Sequence, residues 1–108
     1  MSDKHCVVWT ETAEKDLTKI IEYIAQDCPA TALDILQKIK SSLSKLYEQP
    51  ERCRIVPELY AQGITPYREM IIKPWRIMFR ISNSDVYVLS VLDSRQNIED
   101  ILLNRFLM

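Results

Sequence analysis

The 108-residue sequence predicts an α+β domain: an N-terminal strand, an antiparallel helical hairpin packed on an antiparallel sheet, and a C-terminal helix, in the order β–αα–βββ–α. Two observations carry this reading. Helical periodicity runs from Ala13 to Tyr47 with one break, at DCPA (residues 27–30), so two helices follow each other with almost no link. Strand-like sequence then fills residues 67–92, interrupted by turn signals at Pro74 and at SNSD (82–85). At this length the chain forms one domain, residues 1–108, because a second core would leave both halves too small.

Residues 5–9 are a short apolar run that reads as the first strand. Thr10 or Thr12 then serves as N-cap, and Glu11, Glu14 and Asp16 place negative charge in the favourable first turns of a helix. Ala13, Leu17, Ile20, Ile21 and Ile24 form its apolar stripe. Pro29 pushes Cys28 out of the helical region and suits the first turn of the second helix. That helix carries Ala32, Leu33, Ile35, Leu36, Ile39, Leu43, Leu46 and Tyr47 and ends near Pro50. Residues 51–66 have no period and contain Pro57, Pro66 and Gly63. They read as a surface loop with a helical turn near residues 57–61, and Glu48, Glu51 and Glu58 are expected at its solvated edges. The strands end at DSRQNIEDILLNRFLM, which caps at Asp93, Ser94 or Asn97 and presents Ile98, Ile101, Leu102 and Phe106 on one helical face.

Composition excludes several function classes. The chain is 47% hydrophobic and 27% charged, the balance of a soluble globular domain. No run is long enough to span a bilayer, and MSDKHCVVWT has no apolar signal-peptide core, so the expected location is the cytoplasm. Cys6, Cys28 and Cys53 are odd in number and widely spaced, which suggests neither a disulfide framework nor a metal site, and nothing calls for a cofactor. His5 and Cys6 are neighbours on a strand, point to opposite faces and make a poor nucleophilic pair. With 14 Lys+Arg against 15 Asp+Glu, the chain also lacks the basic surplus of a protein held mainly by nucleic-acid backbone.

The stretch YREMIIKPWRIMFRI carries the functional question. Trp75, Ile77, Phe79 and Ile81 alternate with Arg76, Met78 and Arg80. A hairpin turn centred on Asn83 and Ser84 predicts that Ile81, Phe79, Ile77 and Trp75 oppose Val86, Val88, Ser90 and Leu92, a face for the helical hairpin. The other face then pairs Arg80 with Tyr87, Met78 with Leu89 and Arg76 with Val91. This is an apolar floor set with two arginines, and Arg80 lies over Tyr87 as a cation–π candidate. Such a face calls for a cover, either the chain's own C-terminal helix or a partner. The register of residues 67–73 decides which face Arg68 occupies, and the sequence leaves it open.

In the order and spacing of WTETAEKDL, YREMIIKPWRIMFRI and VLSVLDSRQNIEDILL, the chain resembles the RelE/ParE superfamily of bacterial type II toxins, closer to ParE-like members, over nearly its whole length. The resemblance implies the toxin of a plasmid-stabilisation or addiction module in the bacterial cytoplasm. A cognate antitoxin would neutralise it, in a homodimer or a toxin–antitoxin heterotetramer. It implies either poisoning of DNA gyrase by binding, or ribosome-dependent, metal-independent cleavage of mRNA. For the second activity the matching cations are Arg68, Arg76 and Arg95. Met70 stands where a lysine would, and Ile101 where the C-terminal tyrosine would. Three cations without a proton-transfer group hold phosphate but cleave it poorly. The expectation is therefore a non-enzymatic toxin whose partner-binding residues are Arg76, Met78, Arg80, Tyr87, Leu89, Val91 and Arg95. The alternatives are a divergent mRNA endonuclease and a non-toxic binding protein of the same fold. For Arg76 and Arg95 a bracing role through Glu69, Asp93 or Glu99 stands beside the partner-binding one.

Overall fold

A computed structural model describes residues 5–106, apart from the side chains of residues 44, 45 and 106, the last of which the predicted C-terminal stripe includes. The elements are β1 (Cys6–Trp9), α1 (Glu11–Asp27), α2 (Pro29–Ser42), α3 (Ser44–Glu48), a 3₁₀ turn (Pro50–Arg52), β2 (Arg54–Ile55), α4 (Pro57–Tyr60), β3 (Tyr67–Ile72), β4 (Trp75–Ser82), β5 (Asp85–Asp93) and α5 (Ile98–Phe106). The predicted final helix extends to residues 107–108, which lie outside the described residues.

One five-stranded sheet runs β1-β5-β4-β3-β2. It is antiparallel except at one edge, where β1 pairs parallel with β5. The α1–α2 hairpin belongs to the long crossover that a parallel pair requires. Thr10 ends β1 and caps α1: its Oγ1 accepts from Ala13 N (3.3 Å) and donates to Val88 O (2.7 Å). Cys28 is extended (φ −150°, ψ 99°) and Pro29 opens α2, as the DCPA break predicts.

The single second helix expected to reach Pro50 is two helices. The Ser41 and Ser42 hydroxyls donate to Gln37 O and Lys38 O, and Leu43 N–H bonds to Lys40 O in a tightened turn, so the chain bends before α3. Leu46 stays fully buried after the bend. Within the segment read as a loop, the helical turn expected at residues 57–61 is α4. The two-residue strand β2 was not anticipated.

Two cores flank the sheet. On the hairpin side Ala13, Ile39, Leu46, Ile77, Phe79, Val86 and Val88 are completely buried, joined by Met70, Ile72, Trp75 and Val91. On the other side Val56, Leu59, Met78, Leu92, Ile98 and Leu102 form a smaller core beneath α4 and α5. Each large apolar side chain sealed in this way contributes about 1.5–3 kcal/mol.

The β4–β5 register corrects half of the predicted face. From the Asn83 turn (φ 56°) the expected pairs hold: Ile81 with Val86, Arg80 with Tyr87, Phe79 with Val88. A bulge then leaves Leu89 without a partner, and Met78 pairs with Ser90, Ile77 with Val91, Arg76 with Leu92. One extra residue reverses the facing of everything beyond it. Val91 thus lies in the hairpin-side core, not in the floor beside Met78, and Leu92 takes that place. The β3–β4 register also settles Arg68. It opposes Phe79 on the hairpin side, while Glu69 opposes Met78 and Ile71 opposes Arg76 on the other.

Candidate functional site

Arg76 is 6% exposed, and each of its three nitrogens donates to a carboxylate of the chain itself. Its Nε donates to Glu69 Oε1 (2.6 Å), and Nη1 and Nη2 donate to the two oxygens of Glu58 (2.8 and 2.6 Å). Glu69, 2% exposed, also accepts from Arg54. Local sequence builds this cluster simply. β2 and β3 set Arg54 opposite Glu69, β4 sets Arg76 one strand further in, and Pro57 starts α4 so that Glu58 falls over the guanidinium. The Arg76 hydrogen bonds hold Glu58 below the usual carboxylate range against a desolvation effect that pushes it up. The Glu58 fork likewise drives Arg76 further from deprotonation. Glu58, expected at a solvated loop edge, is thus half of a bidentate pair over the second core.

The three cations of the cleavage reading do not converge. Arg68 lies on the hairpin side of the sheet, where Nη1 donates to Cys53 O (2.7 Å) and Glu51 O (3.1 Å). Arg76 lies on the opposite side. Arg95 is largely exposed in the turn between β5 and α5, where it clasps Asp93 through Nε and Nη2 (2.9 and 2.5 Å). That contact lowers the Asp93 carboxyl and raises Arg95. Asp93 is not the helix cap; Asn97 is, accepting from Asp100 N (3.2 Å). Met70 is buried in the first core and Ile101 packs partly against the second, so neither position presents a group that moves protons. Glu58, held ionised by Arg76, is a weak proton acceptor.

The predicted floor divides into a closed end and an open end. Met78 is fully buried beneath α4 and α5, so at that end the chain's own helices provide the cover. Arg105, near the end of α5, fixes it there by donating to Ser90 Oγ (2.7 Å) and to Asp16 Oδ2 (2.8 Å), which also takes the N–H of Val91 (3.0 Å). At the other end Val8, Tyr87, Arg80 and Tyr67 lie in register across four strands. Val8 is 41% exposed and Arg80 is exposed, with no carboxylate in ion-pair range among the described residues. Thr10, Arg80, Ser82, Tyr87 and the bulged Leu89 line a shallow depression of about 240 Å³ there. Of the residues predicted to bind a partner, Arg80, Tyr87 and Leu89 share this open surface. Arg76, Met78 and Val91 are buried, and Arg95 stands apart. Glu58 and Asp16 were missed as structural partners. The signal for Glu58 was the proline before it, which starts the helical turn expected at residues 57–61 and places the carboxylate one residue into it.

Among the described residues no group of three or more His, Cys, Asp or Glu side chains is placed to hold a metal ion, and no helix is long and apolar enough to cross a membrane. Residues 7–98 match the family described as ParE toxin of type II toxin-antitoxin system, parDE. Toxin RelE2 of Caulobacter vibrioides is 30% identical over 86 residues, covering 79% of this chain and 90% of that protein. The chromosomal ParDE toxin–antitoxin system from P. aeruginosa contains a chain that superposes with a TM-score of 0.66 at 21% identity, over 85% of this chain and 98% of that one. The toxin–antitoxin complex RelBE2 from Mycobacterium tuberculosis contains another, with a TM-score of 0.56 at 18% identity, over 83% and 91%. At these identities the two structural likenesses speak to the fold alone.

Proposed function

The chain belongs to the ParE toxin family of type II toxin–antitoxin systems, and from that premise we propose that it arrests growth in the bacterial cytoplasm by binding a large target such as DNA gyrase, and that a cognate antitoxin silences it. The observation that carries the non-enzymatic reading is the occupancy of Arg76. Its guanidinium already holds Glu69 and Glu58 in charge-assisted hydrogen bonds, so it has no fork to offer a phosphate. Arg68 and Arg95 are turned to other parts of the surface, and a cleavage site needs cations that converge on one developing charge.

Purified protein titrated into a gyrase supercoiling reaction tests this reading, with transcripts from induced cells mapped in parallel. Inhibited supercoiling with intact mRNA is the expected pair of results. Unaffected gyrase with mRNA cut at codon positions would replace it with the endonuclease reading. Normal growth after induction without antitoxin would leave a non-toxic binding protein.

A further inference from the structure

We propose that the antitoxin is recognised at the open end of the sheet, through a carboxylate it supplies to Arg80 and an apolar side chain it seats beside Leu89. This rests on the toxin–antitoxin reading above and assigns it a surface. Among the arginines carried by strands, charge singles out Arg80; Arg52, which also lacks a carboxylate partner among the described residues, lies in the 3₁₀ turn outside the sheet. Arg54 and Arg76 share Glu69, Arg76 also holds Glu58, Arg95 holds Asp93, Arg105 holds Asp16, and Arg68 is bound to backbone carbonyls. Arg80 stands on a strand in the middle of the sheet without an internal carboxylate among the described residues, although charged residues on β-strands ordinarily pair across the ladder. Its neighbours in register are two tyrosines, Tyr67 on β3 and Tyr87 on β5.

The bulge supplies the apolar half. Left without a cross-strand partner, Leu89 is only partly buried and walls a depression of about 240 Å³ together with Thr10, Ser82 and Tyr87. That volume suits one side chain, not a small-molecule ligand, since ligand pockets start near about 300 Å³. The exposed Val8 extends the apolar rim to the sheet edge. At the opposite end α4 and α5 already seal Met78 and Leu92, so a partner has no floor to fill there. A planar guanidinium beside a shallow notch walled on one side by Leu89 fits an acidic residue flanked by an apolar one. The antitoxin thus takes the only arginine of β4 that the fold has not neutralised.

The purified antitoxin, titrated against the whole chain, tests this with Arg80→Glu, Leu89→Asp and the control Lys38→Glu, which reverses an exposed charge on α2. Arg80→Glu and Leu89→Asp should each weaken the complex by at least about tenfold. Lys38→Glu should stay within about twofold of the unchanged chain. An antitoxin variant in which one Asp or Glu becomes Lys should recover binding to Arg80→Glu and lose it to the unchanged chain. Undiminished binding by folded Arg80→Glu overturns the surface assignment while leaving the toxin reading intact. Failure of the unchanged chain to bind the antitoxin overturns both.

Discussion

Arg76 and Glu58 meet fork to fork, Nη1 to Oε2 at 2.8 Å and Nη2 to Oε1 at 2.6 Å, while Glu69 takes the remaining Nε at 2.6 Å. The residue that the cleavage reading assigns to phosphate is here the centre of a network joining α4, β3 and β4. The two carboxylates are not equivalent. The Glu69 side chain is fully buried, whereas that of Glu58 keeps 27% of its surface exposed.

Removing Arg76 alone should be severe. Arg76→Ala takes from the buried Glu69 carboxylate its partner inside the protein and leaves it only the half-exposed Arg54, a loss of about 3–5 kcal/mol. Replacing both residues by methionine removes the unpaired charge and fills similar volume, so Arg76→Met with Glu69→Met should return most of that stability. Chemical denaturation of the three proteins checks it. A double variant as unstable as Arg76→Ala would mean that lost packing, not stranded charge, is the cause.

The same network makes stability fall in acid. The Glu58 carboxyl sits below its ordinary value near 4.5 because of Arg76, so its contribution is complete above that value and is lost as pH falls through the lower folded one. Comparing melting temperatures at about pH 7 and about pH 4, the unchanged chain should lose more than Glu58→Gln. Equal losses in the two proteins would assign the acid sensitivity elsewhere.

Asp16 should matter more than a helix-surface carboxylate normally does. It closes the edge of β5 at Val91 N and holds Arg105 of α5. Asp16→Ala strands that N–H and releases the helix terminus, at about 1–3 kcal/mol. Hydrogen exchange should show Val91 and α5 losing protection together, while the β3–β4 ladder keeps its own.

Most of the architecture was legible because periodicity, caps and turns agree locally. Thr10, the DCPA break, the Asn83 turn and the C-terminal amphipathic stripe each mark a boundary that the structure keeps. The bulge at Leu89 was less visible, yet its trace is there. Val86 and Val88 keep the period of two, Ser90 falls on the core side and Val91 on the wrong one, and a single inserted residue reconciles them. The site was harder, because ion pairs join residues far apart in sequence. Glu58 to Arg76 spans 18 positions and Asp16 to Arg105 spans 89. The resemblance placed Arg76 in a working role; the fold around it supplied the carboxylates that occupy it.

The most direct test of a toxin that acts by binding is growth after induction of the Arg76→Met, Glu69→Met double variant, first shown to fold and to hold the antitoxin. Growth arrest equal to that of the unchanged chain, with transcripts intact, is the predicted result. A folded, antitoxin-binding double variant that no longer arrests growth would contradict the account, because Arg76 would then serve the toxic activity itself.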